Sequence, residues 1–288
     1  MNASCFRLHY FCAFILYKKF YMYKAVFTDM DGTLLQNDHT ISNATQNIIQ
    51  QLIRKGVMVV PVSARPLHAI LPITSPVIDK SMPVVSLNGS YIFHGDKVVR
   101  DVRIPIADAT EVHDEIQPYL VTPMYYNQMV WYSNMNDEII RKEQLITDVK
   151  IIIQPFELTR EQWIETSNSP NKIMIAGDKE VISDVQAKLR SLYGEKLSIA
   201  TSQPRYLEVM NYEASKKTGV QFLLDRFGLK REEVIAIGDN FNDKDMIEFA
   251  GMGIAMGNAP DEIKKVADYV TDTNINDGVA KALRHFFF

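Results

Sequence analysis

Cysteine is almost absent from this chain. Of its 288 residues only two are cysteines, Cys5 and Cys12, and both lie near the N-terminus. A disulfide or a cysteine-bound metal would need further ligands or an oxidising compartment, so we interpret both as incidental thiols. Because no cysteine follows Cys12, thiol catalysis is excluded for the body of the protein.

The chain also lacks runs of like charge, low-complexity tracts and repeats of fixed period. Its formal net charge of −4 argues against nucleic acid as the main partner, because a protein that binds a phosphate backbone needs a basic face. Hydrophobic residues make up 47% of the sequence, which suffices for a sizeable core. The length of 288 residues suits one large domain or two modest ones.

No apolar run is long enough to span a bilayer, which takes about 20 apolar residues. The run at residues 10–17 is followed by Lys18 and Lys19, whereas a secretory signal carries its positive charge before the apolar run. We interpret residues 1–21 as a dispensable N-terminal extension, with a weak membrane anchor as the alternative. We therefore expect a cytoplasmic protein that has no membrane partner and is a monomer or a weak homo-oligomer.

Apolar runs alternate with amphipathic segments in two parts of the chain, residues 22–104 and 206–288. Repeated βα units predict a parallel, doubly wound sheet for these parts. In the first part, Ser42 is predicted to cap a helix that ends at Gly56. Residues 105–205 have a different, α+β pattern and are numerous enough to form an inserted domain. The predicted fold class is therefore α/β with an α+β insertion.

Three of the apolar runs end in polar residues. They lead into Asp29-x-Asp31-Gly-Thr33, Ser63-Ala64-Arg65 and Asp239-Asn-Phe-Asn242-Asp243. Because ligands of open α/β sheets bind outside the carboxyl ends of the strands, we expect these groups to meet in one crevice.

The first of these motifs is the most informative. Asp29 and Asp31 are two residues apart in an extended segment, so their side chains point the same way. With Asp239 they supply hard oxygen ligands of the kind that Mg²⁺ prefers, and Asp243 is placed to support the waters of the metal. Without a cation, such a cluster at a buried edge would be costly. The alternative is that these acids only form turns at strand ends.

The same groups suit phosphate chemistry. Asp29 can attack phosphorus and form an aspartyl phosphate, and Asp31 can protonate the leaving oxygen and then activate water. Phosphate esters hydrolyse so slowly in water that a site must lower the barrier by about 20 kcal/mol. The Ser63 hydroxyl, the Lys216 ammonium, the Asn242 amide and nearby backbone N–H groups are candidate donors to the phosphate.

Together these motifs resemble the four signatures of the haloacid dehalogenase-like (HAD) superfamily. The residues that carry the resemblance are Asp29-x-Asp31-Gly-Thr33, Ser63-x-Arg65, Lys216 and Gly238-Asp239-x-x-Asn242-Asp243. Further features resemble its Cof-type phosphatase subfamily, which has a type IIB cap. These are Asn88-Gly89, the inserted domain, the segment from Gly253 to Asn258 and the segment from Ala267 to Val270. The resemblance covers residues 22–288.

The resemblance implies a Rossmann-like catalytic core formed by residues 22–104 and 206–288, and a cap formed by residues 105–205. It implies a Mg²⁺-dependent phosphatase in which Asp29 is the nucleophile and a metal ligand. Asp31 would be the general acid and base and would offer its backbone carbonyl to the metal. Asp239 would be the third protein ligand of the metal. The residues that would bind the phosphate are Met30, Ser63, Ala64, Lys216 and Asn242. Arg65 and Asp243 would support these groups.

Two positions depart from the family pattern. The usual Thr-Gly-Arg is Ser63-Ala64-Arg65, in which alanine would be strained if the backbone required glycine. The usual Lys-Gly is Lys216-Lys217. Neither change removes a catalytic group.

The predicted function is hydrolysis of small phosphorylated metabolites, with sugar phosphates favoured. One alternative is a phosphomutase or phosphotransferase, in which the aspartyl phosphate outlives attack by water. The other is a non-catalytic sensor of phosphorylated metabolites, which would be expected to lack one of the acids. The acid at Asp31 also argues against a dehalogenase, because dehalogenases of this family lack it.

Two other sets of residues are weaker candidates for a function. The six histidines have no metal-binding spacing and are predicted to lie on the surface or in loops. The aromatic residues between positions 125 and 132 could stack on a sugar, but packing within the inserted domain is the favoured interpretation, because aromatic side chains suit strands. They are Tyr125, Tyr126, Trp131 and Tyr132.

Overall fold

The computed structural model describes residues 23–147, 149 and 151–288. The extension predicted at residues 1–21 lies outside the described residues. Within them, no helix combines the length and the hydropathy needed to cross a membrane.

The described chain divides into two compact units. The first comprises the described residues up to Ser63 together with Pro72–Val84 and Lys216–Phe288, and the second comprises Ala64–Leu71 and Val85–Ser215. The strands are β1 (Ala25–Thr28), β2 (Met58–Pro61), β3 (Val84–Ser86), β4 (Tyr91–His94), β5 (Lys97–Asp101), β6 (Val121–Asn127), β7 (Val130–Ser133), β8 (Ile151–Ile153), β9 (Lys172–Gly177), β10 (Leu197–Gln203), β11 (Tyr206–Asn211), β12 (Val234–Gly238), β13 (Met252–Ala255) and β14 (Tyr269–Val270). The α-helices are α1 (Asn43–Arg54), α2 (Leu67–Thr74), α3 (Ile106–Ile116), α4 (Glu138–Thr147), α5 (Phe156–Thr166), α6 (Lys179–Tyr193), α7 (Lys216–Phe227), α8 (Lys244–Phe249), α9 (Asp261–Lys264) and α10 (Gly278–Phe287).

The first unit is built on a five-stranded parallel sheet with the order β14-β13-β12-β1-β2. β1 and β12 are buried along their whole length, as is usual for strands of a parallel sheet. Thr28, the last residue of β1, lies beside Ile237 of β12 and Pro61 of β2. The segments that follow these three strands therefore leave the sheet at the same edge. The predicted α/β class with a parallel core sheet is confirmed.

Helix α1 shows how local sequence fixes the crossover between β1 and β2. The Ser42 hydroxyl accepts a hydrogen bond from the backbone N–H of Thr45 at 3.2 Å and caps the first turn, an interaction worth about 1 kcal/mol. Ile48 and Ile49 are buried on the inner face of the helix. The chain then leaves the helix through Gly56, whose φ of +79° is left-handed and costs glycine little. Both ends of this helix lie where the sequence predicts them.

The second unit contains a six-stranded mixed sheet with the order β10-β11-β9-β6-β7-β8, in which β7 and β8 pair in parallel and the other pairs are antiparallel. One face of this sheet packs against α3, α5 and α6 to form a hydrophobic core. The residues that the sheet contributes to this core include Tyr125, Ile173, Ile175, Leu207 and Val209. A separate sheet with the order β3-β4-β5 contains the hairpin that the sequence predicts at residues 91–99.

His113 is buried in the core of the second unit, so the prediction that all histidines lie on the surface or in loops is wrong. Its ring stacks on Phe156 with 3.5 Å between ring centroids. Its Nδ1 lies 2.5 Å from the Tyr125 hydroxyl, and its Nε2 lies 3.0 Å from Nε2 of Gln117. Burial lowers the pKa of His113, against the opposing effect of Asp114. The ring is therefore held in its neutral form.

This burial predicts a dependence of stability on pH. The pKa of His113 is lower in the folded protein than in the unfolded chain. The neutral His113 ring therefore contributes fully to the free energy of unfolding above about pH 6.5, and this contribution declines as the pH falls. His113→Phe keeps the stacking on Phe156 and removes the titration. We expect the variant to be less stable at about pH 7.5, because the Tyr125 hydroxyl loses its partner, but to lose less stability on acidification. Urea unfolding of both proteins at about pH 7.5 and about pH 5 measures this, and equal losses would contradict it.

Candidate active site

The loop that follows β1 turns at Gly32, whose φ is +78°. A Cβ atom at this position would lie 2.4 Å from Oδ2 of Asp239, so no larger residue fits without displacing that carboxylate. Three residues before this glycine, the backbone N–H of Asp29 donates to the Ile237 carbonyl at 2.9 Å and extends the pairing of β1 with β12. The turn glycine therefore allows the loop after β1 to approach Asp239 in the loop after β12 closely.

Asp239, the first residue after β12, is held by hydrogen bonds from two directions. The Thr33 hydroxyl donates to its Oδ1 at 2.7 Å. The side-chain amide of Asn258 donates to the Gly32 carbonyl at 2.9 Å and, more weakly, to Oδ2 of Asp239 at 3.4 Å. The carboxylate is thus oriented by groups from two other segments of the chain, the loop after β1 and the turn after β13.

Lys216, the first residue of α7, is fully buried beside the acids. Its side chain is 1% exposed, and its Nζ lies 2.5 Å from Oδ1 of Asp29 and 2.5 Å from Oδ1 of Asp243. Burial alone would lower the pKa of Lys216, but the charges of Asp243 and Asp29 outweigh burial and raise it. The group is therefore an ammonium ion that donates to both carboxylates.

Asp243 links Lys216 to the loop after β12. It is completely buried, and its Oδ2 accepts hydrogen bonds from the backbone N–H groups of Asp239 at 3.0 Å and Asn240 at 2.9 Å. A Cβ atom at Gly238 would lie 2.4 Å from Cβ of Asp243, so this side chain occupies the space that the glycine leaves. Asp243 thereby fixes both the ammonium and the backbone beside Asp239.

The arrangement of the acids fits a divalent cation. Asp29, Asp239 and Asp243 each offer a carboxylate oxygen, and these oxygens lie within 4.8 Å of one another. Burial, reinforced by Asp243, raises the pKa of Asp29 well above its usual range although Lys216 opposes the shift. Burial also raises the pKa of Asp239 to about 6, against the hydrogen bond from Thr33. Three acids beside one ammonium leave a shortage of positive charge, which a cation bound by carboxylate oxygens would correct.

Comparison with known proteins agrees with this site. The sequence profile described as haloacid dehalogenase-like hydrolase matches residues 26–283. The chain belongs to the HAD-like hydrolase family. It is 39% identical to a putative phosphatase of Haemophilus influenzae over 92% of this chain and 99% of that protein. It is 32% identical to a 5-amino-6-(5-phospho-D-ribitylamino)uracil phosphatase of Bacillus subtilis over 91% of this chain and 95% of that protein.

The fold places the chain within the same branch of the HAD-like hydrolases that the sequence resembles. A solved structure described as a HAD subclass IIB sugar phosphatase superposes with a TM-score of 0.78 at 26% identity, covering 91% of this chain and 98% of that one. The chain is therefore a Cof-type, subclass IIB member, with a parallel core sheet and an inserted cap that contains a mixed sheet. As a HAD-like phosphatase it is a phosphoric monoester hydrolase that acts on small phosphorylated metabolites.

The remaining residues of the predicted HAD site differ in their surroundings. The side chain of Asp31 is 48% exposed and lies outside the acid cluster, with Nδ1 of His39 at 3.7 Å from its Oδ1. Met30 and Ser63 are buried, whereas Asn242 is exposed. Their roles, like the metal-binding roles of Asp29 and Asp239, stay predictions.

Ala64 and Arg65 are the first residues of the second unit, and their roles also stay predictions. The strain considered for Ala64 is absent, because positive φ angles among the described residues fall at other positions. Alanine therefore replaces the usual HAD glycine here without a conformational cost.

Sequence reasoning missed the contribution of Asn258 to this HAD site. The sequence places Asn258 in a segment that resembles the Cof-type subfamily but indicates no role for its side chain. Its contact with the Gly32 carbonyl joins positions 226 residues apart in the chain, and its weaker contact with Asp239 joins positions 19 residues apart. An asparagine in a turn carries no local signal of such a contact.

Proposed function

We propose that this protein is a Mg²⁺-dependent phosphatase of sugar phosphates and related phosphorylated metabolites, and that it works through an aspartyl phosphate on Asp29. The observation that carries the proposal is the buried contact between Asp29, Lys216 and Asp243. A carboxylate whose Oδ1 is fixed by an ammonium at 2.5 Å is oriented and leaves its other oxygen for attack on phosphorus.

The proposed reaction has two steps. In the first, an oxygen of Asp29 bonds to phosphorus while the bond from phosphorus to the leaving oxygen breaks, and Asp31 gives its proton to that oxygen. In the second, a water oxygen bonds to phosphorus while Asp31 takes a proton from that water, and the bond between Asp29 and phosphorus breaks to give the free Asp29 carboxylate and inorganic phosphate. The partial exposure of the Asp31 side chain supports this role, because a proton donor and acceptor must reach both the leaving group and water.

Mg²⁺ fits the donor set and would be held by the carboxylates of Asp29 and Asp239 and by the backbone carbonyl of Asp31. It would supply positive charge close to the phosphate oxygens. Lys216, the Ser63 hydroxyl, the Asn242 amide and the backbone N–H groups at Met30 and Ala64 would bind those oxygens as hydrogen-bond donors. Arg65 and Asp243 would support these groups without touching the phosphate.

The choice of substrate class draws on the relatives. One is named for a substrate that carries a phosphorylated ribityl chain, and one solved structure is described as a sugar phosphatase. Both names refer to phosphate esters of polyhydroxylated carbon chains. We assign this chemistry to the present chain, which we also expect to act in the cytoplasm.

The test is hydrolysis of p-nitrophenyl phosphate and of a panel of sugar and sugar-alcohol phosphates, with Mg²⁺ and with EDTA. We expect Mg²⁺-dependent release of phosphate with a kcat between about 1 and 10³ s⁻¹ on the preferred substrate. Transfer of the phosphoryl group to an added sugar instead of water would indicate a phosphotransferase. A protein that binds Mg²⁺, as seen by calorimetry, yet hydrolyses nothing in the panel would contradict the proposal.

A further inference from the structure

The side chain of Asn258, in the turn after β13, is bound by protein groups on both sides although the residue is exposed. Its Nδ2 donates to the Gly32 carbonyl at 2.9 Å and to Oδ2 of Asp239 at 3.4 Å. Its Oδ1 accepts from the backbone N–H of Asn274 at 3.1 Å. An exposed amide can satisfy these atoms with water, so three contacts with protein groups indicate a defined task for this side chain.

The backbone N–H of Asn274 fixes the direction of the Asn258 amide. A backbone N–H can only donate, so the amide oxygen must face Asn274 and the amide nitrogen must face the Gly32 carbonyl. The reverse orientation would bring the amide oxygen against a carbonyl and a carboxylate. Asn274 also holds the loop after β1 directly, because its own side-chain amide donates to the Leu35 carbonyl at 2.9 Å. The two asparagines therefore bind this loop at two points.

The turn that carries Asn258 is itself anchored to the parallel sheet. The backbone N–H of Met256 donates to the Gly238 carbonyl, and that of Gly257 donates to the Asp272 carbonyl, both at 3.0 Å. A Cβ atom at Gly257 would lie 2.9 Å from the carbonyl carbon of Asp272, so the turn packs closely against the segment after β14. The backbone beside Asn258 is therefore held in place.

The groups that Asn258 contacts belong to the predicted metal site. Asp239 is a predicted ligand, and Gly32 directly follows Asp31, whose backbone carbonyl is another. Thr33 holds Oδ1 of Asp239, and Asn258 restrains Oδ2. Gly32 has a left-handed φ of +78° and the conformational freedom of a glycine. A hydrogen bond to its carbonyl therefore limits motion at the point where the predicted ligands must keep a fixed geometry.

A contribution to stability alone explains these contacts poorly. A hydrogen bond from an exposed, uncharged amide replaces one with water, so its net contribution is small, and ordering the side chain costs entropy. Asn276 provides a comparison, because it is also an exposed turn asparagine whose Nδ2 lies 3.4 Å from a carboxylate oxygen. That carboxylate belongs to Asp272, which pairs with Lys281 and is not a predicted metal ligand. What distinguishes Asn258 is that its amide joins two parts of the predicted metal site.

We propose that Asn258 is a positioning residue of the Mg²⁺ site and that the backbone of Asn274 holds it in the required orientation. Asn258 acts through the Asp239 carboxylate and through the loop at Gly32. Removal of a group that orients metal ligands typically weakens metal binding by about 10–100-fold. The inference rests on the Mg²⁺ site of the proposed function, and all the residues that it uses lie in the first unit.

Asn258→Ala tests the proposal by removing both donors, and Asn276→Ala is the matched control. Calorimetric titration of the metal-free proteins with Mg²⁺ measures the affinity itself. We expect the Kd for Mg²⁺ to rise by about tenfold in Asn258→Ala and to stay unchanged in Asn276→Ala. In EDTA, urea unfolding of Asn258→Ala should resemble that of the wild type. At a Mg²⁺ concentration well above both Kd values, the variant should gain about 1.4 kcal/mol less stability, which is the equivalent of tenfold in affinity.

Two substitutions at Asn274 separate the effect of its backbone N–H from that of its side chain. Asn274→Ala removes only the bond to the Leu35 carbonyl, whereas Asn274→Pro also removes the N–H that faces Asn258. Asn274 is the first residue of a short 3₁₀ helix, and Thr273 before it is extended, with φ −71° and ψ 161°, so the backbone accommodates proline. We expect Asn274→Pro to bind Mg²⁺ more weakly than Asn274→Ala does, by up to about tenfold.

Hydrolysis of p-nitrophenyl phosphate gives an independent measurement. The Mg²⁺ concentration for half-maximal activity should rise by about tenfold in Asn258→Ala, while KM for the ester at saturating Mg²⁺ stays unchanged. Wild-type Mg²⁺ affinity in Asn258→Ala, or an equal loss in Asn276→Ala, would overturn the inference, and equal affinities in the two Asn274 variants would overturn the part assigned to Asn274. A wild type that binds no Mg²⁺ would overturn the proposed metal site and this inference with it. A wild type that binds Mg²⁺ but hydrolyses no phosphate ester would overturn the proposed function, and the calorimetric result for Asn258 would still stand.

Discussion

Asp29→Asn is expected to abolish phosphatase activity without unfolding the protein. The amide cannot form the aspartyl phosphate, so we expect kcat/KM for p-nitrophenyl phosphate to fall by about 10⁴-fold or more. The fold should persist, because burial raises the pKa of Asp29 and shows that its charge is a cost in the metal-free protein. We therefore expect the free energy of unfolding without metal at about pH 7.5 to rise, or to fall by less than about 1 kcal/mol.

The control for this variant is Asp225→Asn, which changes an exposed aspartate that accepts a hydrogen bond from the side-chain amide of Gln221. It should leave both activity and stability close to those of the wild type. Kinetics and urea unfolding of the three proteins separate the two effects. Asp29→Asn activity above about one hundredth of the wild type would show that another group is the nucleophile, and a collapse in stability would show that Asp29 is needed for folding.

The parts of this protein that the sequence predicted well are those whose signals are local. The apolar runs before Asp29, Ser63 and Asp239 gave β1, β2 and β12, because a buried parallel strand is a short uninterrupted apolar run. The convergence of the segments after these strands then follows from parallel pairing. Ser42 and Gly56 bounded α1 correctly for the same reason, since caps depend on neighbouring residues.

The parts that the sequence did not predict depend on distant contacts or on weak patterns. In the second unit, β8, α5, β10 and β11 were missed. β8 has three residues, two of which are exposed, and β10 is exposed along most of its second half, so neither shows the alternation that marks a strand. His113 was misplaced because its burial depends on Phe156 and Tyr125, which reach it only in the folded domain.

The buried ion pair of Lys172 and Glu208 shows the limit most clearly. Lys172 and Glu208 lie 36 positions apart, and each taken alone has the composition of a solvated surface residue. Only the pairing of β9 with β11, in which Met174 lies opposite Glu208, brings their strands together on one face. The favoured interpretation of the nearby aromatic residues as packing groups also holds for Tyr125, Tyr126 and Trp131, which are buried.

Lys216→Met is expected to cause the largest loss of stability of any single substitution considered. The ammonium is the group that compensates the buried carboxylates of Asp29 and Asp243, and methionine fills similar space without charge. Removing one partner of a buried ion pair costs about 3–5 kcal/mol, because the remaining charges stay buried and uncompensated. Lys217→Met is the matched control. Lys217 is the next residue, is exposed, and lies 5.7 Å from the Phe249 ring, so its loss should change stability by less than about 0.5 kcal/mol.

Two further measurements distinguish lost charge compensation from lost packing in Lys216→Met. The pKa of Asp29 is already raised, and it should rise further without the ammonium, so the folded variant gains protons more readily than the unfolded chain. The variant should therefore lose less stability relative to the wild type at about pH 5 than at about pH 7.5. Adding Asp243→Asn should recover about 1 kcal/mol or more, because one uncompensated charge disappears while an amide oxygen can still accept from the backbone of Asp239. A loss of stability in Lys216→Met that is independent of pH and additive with Asp243→Asn would mean that Lys216 stabilises the fold by packing. The buried contact between Asp29, Lys216 and Asp243, on which the proposed mechanism rests, would then lack its electrostatic role.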